Sequence, residues 1–283
     1  MSEQSRVAVV TDSTAYLPAE LVRGSGVEVV PLQVVIGGTS YDEVDQASSG
    51  TVADALRRWQ PVTTSRPGPA AFLEAYQRAA DRGCDAVVSV HLSAQMSGTV
   101  ESARLAAKES PVPAEVVDSE TLGMALGFAV LSAAAAAAEG RPAHDVAEAA
   151  RHRAAASTAV FYVDTLEHLR RGGRIGAAAA FVGSALAVKP LLQMVDGHIE
   201  PLEKVRTAAK AIARLEEVAV AAAGSRPVDV AVHHLAGAER ADALADRLRR
   251  RVTGLDQLVV SEVGAVVGAH VGPGMLAVVV APH

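Results

Sequence analysis

Aromatic rings are scarce in this chain: Phe, Tyr and Trp together make up 3% of its 283 residues, although half of the residues are hydrophobic. The interior must then be built from Ala, Val and Leu, narrow side chains that can leave an elongated aliphatic void where no ring fills the space. Cysteine occurs once, at Cys84. That excludes an internal disulfide and a Cys-based zinc site, and it fits a reducing cytoplasm. Following Gly83 just before a strand, Cys84 reads as a small core residue. Positive charge is also limited, with 26 basic against 32 acidic residues and a net charge of −6. The longest basic run is Arg249-Arg250-Arg251, too little for a nucleic-acid-binding face. Residues 1–6 are polar and carry no signal-peptide hydrophobic region. The longest low-charge stretch, residues 121–138, is Ala-rich, includes Gly123 and Gly127 and lacks a flanking basic cluster, so it reads as a buried helix rather than a membrane span. Common catalytic signatures are missing: no Gly-x-Ser-x-Gly elbow, no Gly-Lys-Ser/Thr phosphate loop, no His-Glu-x-x-His. Gly272-Pro273-Gly274-Met275-Leu276-Ala277 fits the letters of a dinucleotide fingerprint but runs into a strand instead of a helix. His233-His234 has no third metal ligand at a recognisable spacing.

What is present is an alternation of short β-branched runs with helical patterns, which predicts parallel sheet flanked by helices. Strands are expected at residues 7–10, 27–36 (broken at Pro31), 86–90, 115–118 and 160–163, and later at 191–195, 198–206, 228–233, 258–263, 265–271 and 276–280. Asp196-Gly197 is a hairpin turn. Helices are expected at 17–23, 51–59, 70–82, from Thr99 to Lys108, 122–139, 143–156, 177–187, 207–224 and 238–251. Residues 41–50 read as a surface loop, and 61–69, with three hydroxyls and three prolines, as a stiff loop. The fold class is α/β in two domains: residues 1–157 with a parallel sheet, and residues 158–283 of mixed α/β character.

Candidate chemistry gathers where strands end. After the strand 86–90 comes His91-Leu92-Ser93-Ala94-Gln95-Met96-Ser97-Gly98-Thr99, in which hydroxyls and glycine precede a helix whose first amides point outward. Such a turn receives a carboxylate or phosphate; Ser97 as a simple helix cap is the alternative. Thr63-Thr64-Ser65 is another hydroxyl-rich turn, held stiff by its prolines, which lowers the entropic cost of receiving a ligand. Thr11-Asp12-Ser13-Thr14 ends the first strand, where open α/β sheets place ligands. His270 precedes Val271-Gly272-Pro273-Gly274, a bare turn suited to a close backbone approach, or it is a satisfied core histidine. Arg206 is a site cation or a solvated charge. Arg170, Arg171 and Arg174 surround Gly172-Gly173 as a docking patch for a phosphate-bearing partner, or as solvated charges.

Taken in order, these motifs resemble the DegV family of fatty-acid-binding proteins that serve bacterial fatty-acid kinases. The resemblance rests on Thr11-Asp12-Ser13-Thr14, Thr64-Ser65-Arg66-Pro67, Leu92-Ser93 with Ser97-Gly98-Thr99, and Asp118-Ser119. It continues through Leu169-Arg170-Arg171-Gly172-Gly173-Arg174-Ile175, Lys189-Pro190-Leu191-Leu192, Asp196-Gly197-His198-Ile199, Lys204-Val205-Arg206 and His270-Val271-Gly272-Pro273-Gly274. It implies a two-domain α/β protein with one long-chain fatty acid, such as palmitate, buried in an aliphatic tunnel at the domain junction. It further implies that Thr64, Ser65, Ser97, Gly98 and Thr99 form the carboxylate-binding turns, with Thr64 and Ser97 hydroxyls and the Gly98 amide holding the head group. Arg206 and His270 are similar to the family's paired residues near the carboxyl end. Arg174, with Arg171, is similar to the basic patch that docks a fatty-acid kinase of the dihydroxyacetone-kinase-like type. The implied protein is a cytoplasmic lipid-binding subunit without catalysis of its own, without cofactor or metal, without nucleic acid and without stable membrane insertion. Arg66 and Gly68 stand where the family has Gln and Ser. Two other readings compete: an acyl-transfer enzyme with Ser97 as nucleophile and His270 as base, and a phosphate- or nucleotide-binding module on the Thr11–Thr14 loop.

Overall fold

The computed structural model describes residues 6–43, 48–58, 60–181 and 189–283. In chain order the first elements are β1 (Val7–Asp12), α1 (Ala19–Ser25), β2 (Glu28–Val30), β3 (Gln33–Ile36), β4 (Thr39–Asp42), α2 (Ser49–Arg57) and β5 (Val62–Ser65). Next come α3 (Pro69–Asp81), β6 (Ala86–His91), α4 (Thr99–Ala107), β7 (Ala114–Asp118), α5 (Met124–Ala138) and α6 (Ala143–Ala156). They are followed by β8 (Thr158–Tyr162), α7 (Glu167–Arg171), β9 (Lys189–Val195), β10 (His198–Val205) and α8 (Ala208–Ala223). The chain finishes with β11 (Val228–His234), α9 (Ala238–Arg251), β12 (Leu255–Glu262), α10 (Ala265–Val271) and β13 (Leu276–Pro282).

Packing divides the chain into two units, Met1–Leu32 with Ser65–Ala156, and Gln33–Thr64 with Ser157–His283. Residues 33–64, which a division at 157/158 leaves with the amino-terminal half, pack with the second unit. Pro31 sits at this crossover. It cannot donate to a ladder, so the stretch expected as one broken strand supplies β2 to one sheet and β3 to another.

The first unit is built on a four-stranded parallel sheet in the order β2-β1-β6-β7. Every residue of β6 is buried, as the unbroken Ala-Val-Val-Ser-Val run requires of a central parallel strand. Phe72, Ala75, Tyr76 and Ala79 of α3, spaced to share one helix face, pack with Val10 and Val87. Helix α5 is apolar all round and has ten buried residues, which marks an interior helix. No helix among the described residues is long and apolar enough to cross a membrane.

The second unit contains a six-stranded mixed sheet, β10-β9-β8-β13-β11-β12, and a three-stranded sheet, β4-β3-β5. The β9–β10 hairpin turns at Asp196 and Gly197, both with positive φ (46° and 78°), as a tight two-residue hairpin needs. Leu215 and Ala219 of α8 and Leu244 and Leu248 of α9 join Val230, Val232 and Val278 of the sheet in one cluster. Glu216 is buried there and accepts from Arg247 at 2.6 Å and Arg251 at 2.7 Å.

Several expectations are corrected. Residues 265–271, expected as a strand, form α10: Ala265 and Ala269, one turn apart, pack on Val34 and Val52, and the Val266 amide donates to the Glu43 carboxylate at 2.7 Å. Tertiary packing and this cap override the β-preference of Val266 and Val267. The stiff loop expected at 61–69 includes a strand, since Val62–Ser65 pairs as β5 beside β3. Thr39–Asp42 of the expected loop is β4. Gly176–Phe181 is a 3-10 helix, and the rest of the helix expected at 177–187 lies outside the described residues.

Candidate ligand-binding site

In the first unit the carboxyl ends of β1 and β6 are tied by one buried acid. Asp12 Oδ1 accepts from the Thr14 amide at 3.0 Å and the Thr14 hydroxyl at 2.5 Å. Its Oδ2 accepts from the Leu92 amide at 3.0 Å and faces His91 Nδ1 at 3.0 Å. His91 Nε2 lies 2.6 Å from Ser89 Oγ, which accepts from the Tyr76 hydroxyl at 2.9 Å. With Tyr76 donating to Ser89, Ser89 donates to Nε2 and the Nδ1 proton goes to Asp12, so a neutral imidazole satisfies the whole chain. All four residues are 0% exposed, and burial pushes the Tyr76 phenol up to about 12. The order Ser–His–Asp is that of a hydrolase triad, but sealed from substrate it serves to position the loop that begins at Leu92. Asp12 was legible as a strand-end residue; its partnership with His91, 79 residues away, carried no local signal.

That loop is a compact turn. Ser93 O accepts from the amides of Met96 (3.0 Å) and Ser97 (3.1 Å), and the Ser93 amide donates to Thr121 O at 2.9 Å. The cap of α4 is Gly98, with no side-chain cap bond. Ser97 is thus not the helix cap; its Oγ lies 2.9 Å from Thr99 Oγ1. Ser97 and Gly98 are half-buried and Thr99 is buried, while Ser65, at the end of β5, is exposed.

The second unit brings Thr64 and His270 together, Oγ1 to Nε2 at 2.8 Å. Burial, and then the nearby Arg174 charge, depress His270 to about 4, so the ring is neutral near pH 7. Its Nδ1 is buried and has no hydrogen-bond partner among the described residues. A methyl group on Gly172 would stand 2.1 Å from that nitrogen, and one on Gly272 would stand 2.1 Å from His168 Cδ2. Helices α7 and α10 therefore interlock reciprocally, each histidine lying on the other segment's glycine. Arg174 Nη1 donates to Gly172 O at 2.6 Å. Arg170 and Arg171 both donate to Glu167, whose carboxyl they hold down at about 2. Arg206 is exposed just after β10 and has no ion pair among the described residues. The sequence-predicted residues thus divide: Ser65, Ser97, Gly98 and Thr99 belong to the first unit, and Thr64, Arg171, Arg174, Arg206 and His270 to the second.

Among the described residues one cluster offers three potential metal ligands, Asp229, Asp256 and His283. The imidazole Nε2 lies 3.4 Å and 3.6 Å from the two carboxylates. His233 bonds Ser261 at 3.0 Å and is buried with its value lowered to about 4, a core histidine. A cavity of about 380 Å³ opens in the first unit at the start of β1, lined by Val7, Val9, Arg6, Arg82, Cys84 and Ala134 among others. None of the carboxylate-binding residues expected from the sequence lines it.

Residues 6–283 match the model of a family described as "Uncharacterised protein, DegV family". A DegV domain-containing protein of Streptomyces coelicolor is 60% identical over 274 residues, covering 97% of this chain and 98% of that protein. A solved structure described as fatty-acid binding of a DegV family protein from Thermus thermophilus is 33% identical, with a TM-score of 0.93, covering 98% of this chain and all of that one. DegV from Bacillus subtilis, described as a fatty acid binding protein, is 34% identical with a TM-score of 0.89, covering 99% of this chain and all of that one.

Proposed function

We propose that this chain, which belongs to the DegV family, binds one long-chain fatty acid such as palmitate in a buried aliphatic tunnel and presents its carboxylate to a fatty-acid kinase. The observation that carries the reading is its likeness, over nearly all its length, to solved DegV proteins described as binding fatty acids. The residue chemistry supports it. Thr64 and Ser97 offer hydroxyls and Gly98 an amide, the minimal donor set for an acid head group taken from water. If His270 Nε2–H donates to Thr64 Oγ1, the Thr64 proton is free for the carboxylate, and a neutral His270 can fill that role. Arg206 is assigned the role of helping to present the head group, and Arg174 with Arg171 that of docking a kinase of the dihydroxyacetone-kinase-like type.

Burying a tail of ~15 carbons at ~0.8 kcal/mol per methylene gives on the order of 12 kcal/mol gross. Association costs of ~4–15 kcal/mol offset much of that, so useful affinity requires a long chain. Lipid extraction and native mass spectrometry of protein purified from a bacterial host test the reading. A stoichiometric co-purified fatty acid, weakened in Thr64→Ala and Ser97→Ala, supports it. A bound nucleotide in its place, or unaltered lipid binding in both variants, refutes the site. The acyl-transfer alternative is weakened because Ser97 Oγ bonds Thr99 and His270 Nε2 bonds Thr64; acylation of Ser97 by an activated ester would revive it.

A further inference from the structure

Arg66 lies on Gly98. A methyl group at Gly98 would stand 1.8 Å from Nη1, 2.9 Å from Cζ and 3.0 Å from Cδ of Arg66. The guanidinium thus occupies the space that any side chain at position 98 would take. Both residues belong to the first unit, and the hydrogen-bonded hydroxyls of Ser97 and Thr99 flank the glycine. No carboxylate pairs with Arg66 among the described residues, whereas Arg78, Arg82 and Arg151 of the same unit are each paired. The exposed Arg66 cation lies against the start of α4, so it and the positive end of the helix both favour an anion placed there. Hydroxyls and an amide alone hydrogen-bond an alcohol or a carboxylate with little preference. A guanidinium has only donors and a permanent charge, so it separates the two.

We propose that Arg66 is a specificity-determining residue of the ligand site: its guanidinium, seated on Gly98 beside Ser97 and Thr99, supplies the counter-charge that selects an ionised carboxylate over neutral head groups on the same hydrocarbon tail. This rests on the fatty-acid reading and deepens it by naming the charge state that is read. Glycine at 98 then has a further purpose, since a side chain there displaces the guanidinium while leaving its charge in the protein.

The test compares a long-chain fatty acid with the fatty alcohol of equal length, by displacement of a fluorescent fatty-acid analogue from delipidated full-length wild type, Arg66→Gln, Arg66→Lys and Gly98→Ala. Wild type is expected to bind the acid on the order of tenfold more tightly than the alcohol, as a charge-assisted contact implies. That preference should shrink as salt rises from about 0.02 to about 0.5 M. Arg66→Gln should lose the preference while keeping wild-type affinity for the alcohol, which reports an intact tail site, and Gly98→Ala should lose the preference as well. Arg66→Lys should retain part of it. An unchanged acid-to-alcohol ratio in Arg66→Gln overturns the inference while leaving fatty-acid binding standing. Wild type that binds neither compound overturns the fatty-acid reading and the inference with it.

Discussion

Gly172→Ala should dislodge His270. Gly172 has φ −73°, a conformation that alanine adopts without strain, so the perturbation is steric alone. The added methyl would stand 2.1 Å from His270 Nδ1, 2.8 Å from Cε1 and 3.2 Å from the His168 carbonyl oxygen. The ring must swing away, and its 2.8 Å bond to Thr64 breaks. Overpacking of this kind costs about 1–3 kcal/mol, and the lost hydrogen bond about 0.5–1.5 kcal/mol more. Together the second unit should lose about 2–4 kcal/mol, read as a lower midpoint in urea. NMR titration of the imidazole Cε1–H signals supplies the sharper readout. In the wild type His270 should titrate near 4, held there by burial and by Arg174; in the variant, released toward water, it should climb toward the ordinary 6.5. Fatty-acid binding should weaken in parallel. A Gly172→Ala protein with wild-type stability and a His270 that still titrates near 4 would refute the interlock.

Stability should depend on pH with a definite sign. His270 and His233 are both depressed to about 4 by burial, so below about 6.5 the unfolded chain takes up protons that the folded one refuses. Stability is then complete above about pH 6.5 and falls as pH drops toward about 4, with an upper limit of about 3 kcal/mol per histidine at ~1.4 kcal/mol per tenfold change; urea midpoints that are flat between about pH 7 and about 4.5 would contradict this. Glu43→Ala strips the buried cap from the Val266 amide and should cost about 1–3 kcal/mol. Its effect should appear as faster hydrogen exchange across α10, and unchanged exchange there would count against the capping role. Asp12→Ala leaves His91 and the Leu92 amide without their shared acceptor and should cost about 1–3 kcal/mol for each donor left unpaired, measured by denaturant unfolding. Near-neutral stability would show the network to be dispensable.

Much of this protein is legible in local patterns. The Ala86–His91 run announces a buried parallel strand, Asp196-Gly197 announces a hairpin, and the spacing of Phe72, Ala75, Tyr76 and Ala79 announces one buried helix face, because each signal needs only neighbours in the chain. The hydroxyl turns are visible for the same reason. Less legible were α10 and β5. Helix α10 has the composition of a strand and becomes a helix because Glu43, 223 residues away, caps it. Strand β5 has the prolines and hydroxyls of a stiff loop around it, yet it is a strand because β3 offers it a ladder.

The sequence by itself determined the α/β alternation, the ring-poor aliphatic interior and the identity of the turns that carry hydroxyls, since these depend on residue type and period. Tertiary structure alone decided that residues 33–64 pack with the carboxyl-terminal unit, that Asp12 meets His91, that His270 is partly buried and bonded to Thr64, and that Arg66 rests on Gly98. Each of these depends on which distant surfaces exclude water together, and desolvation is a property of the packed chain rather than of any stretch within it.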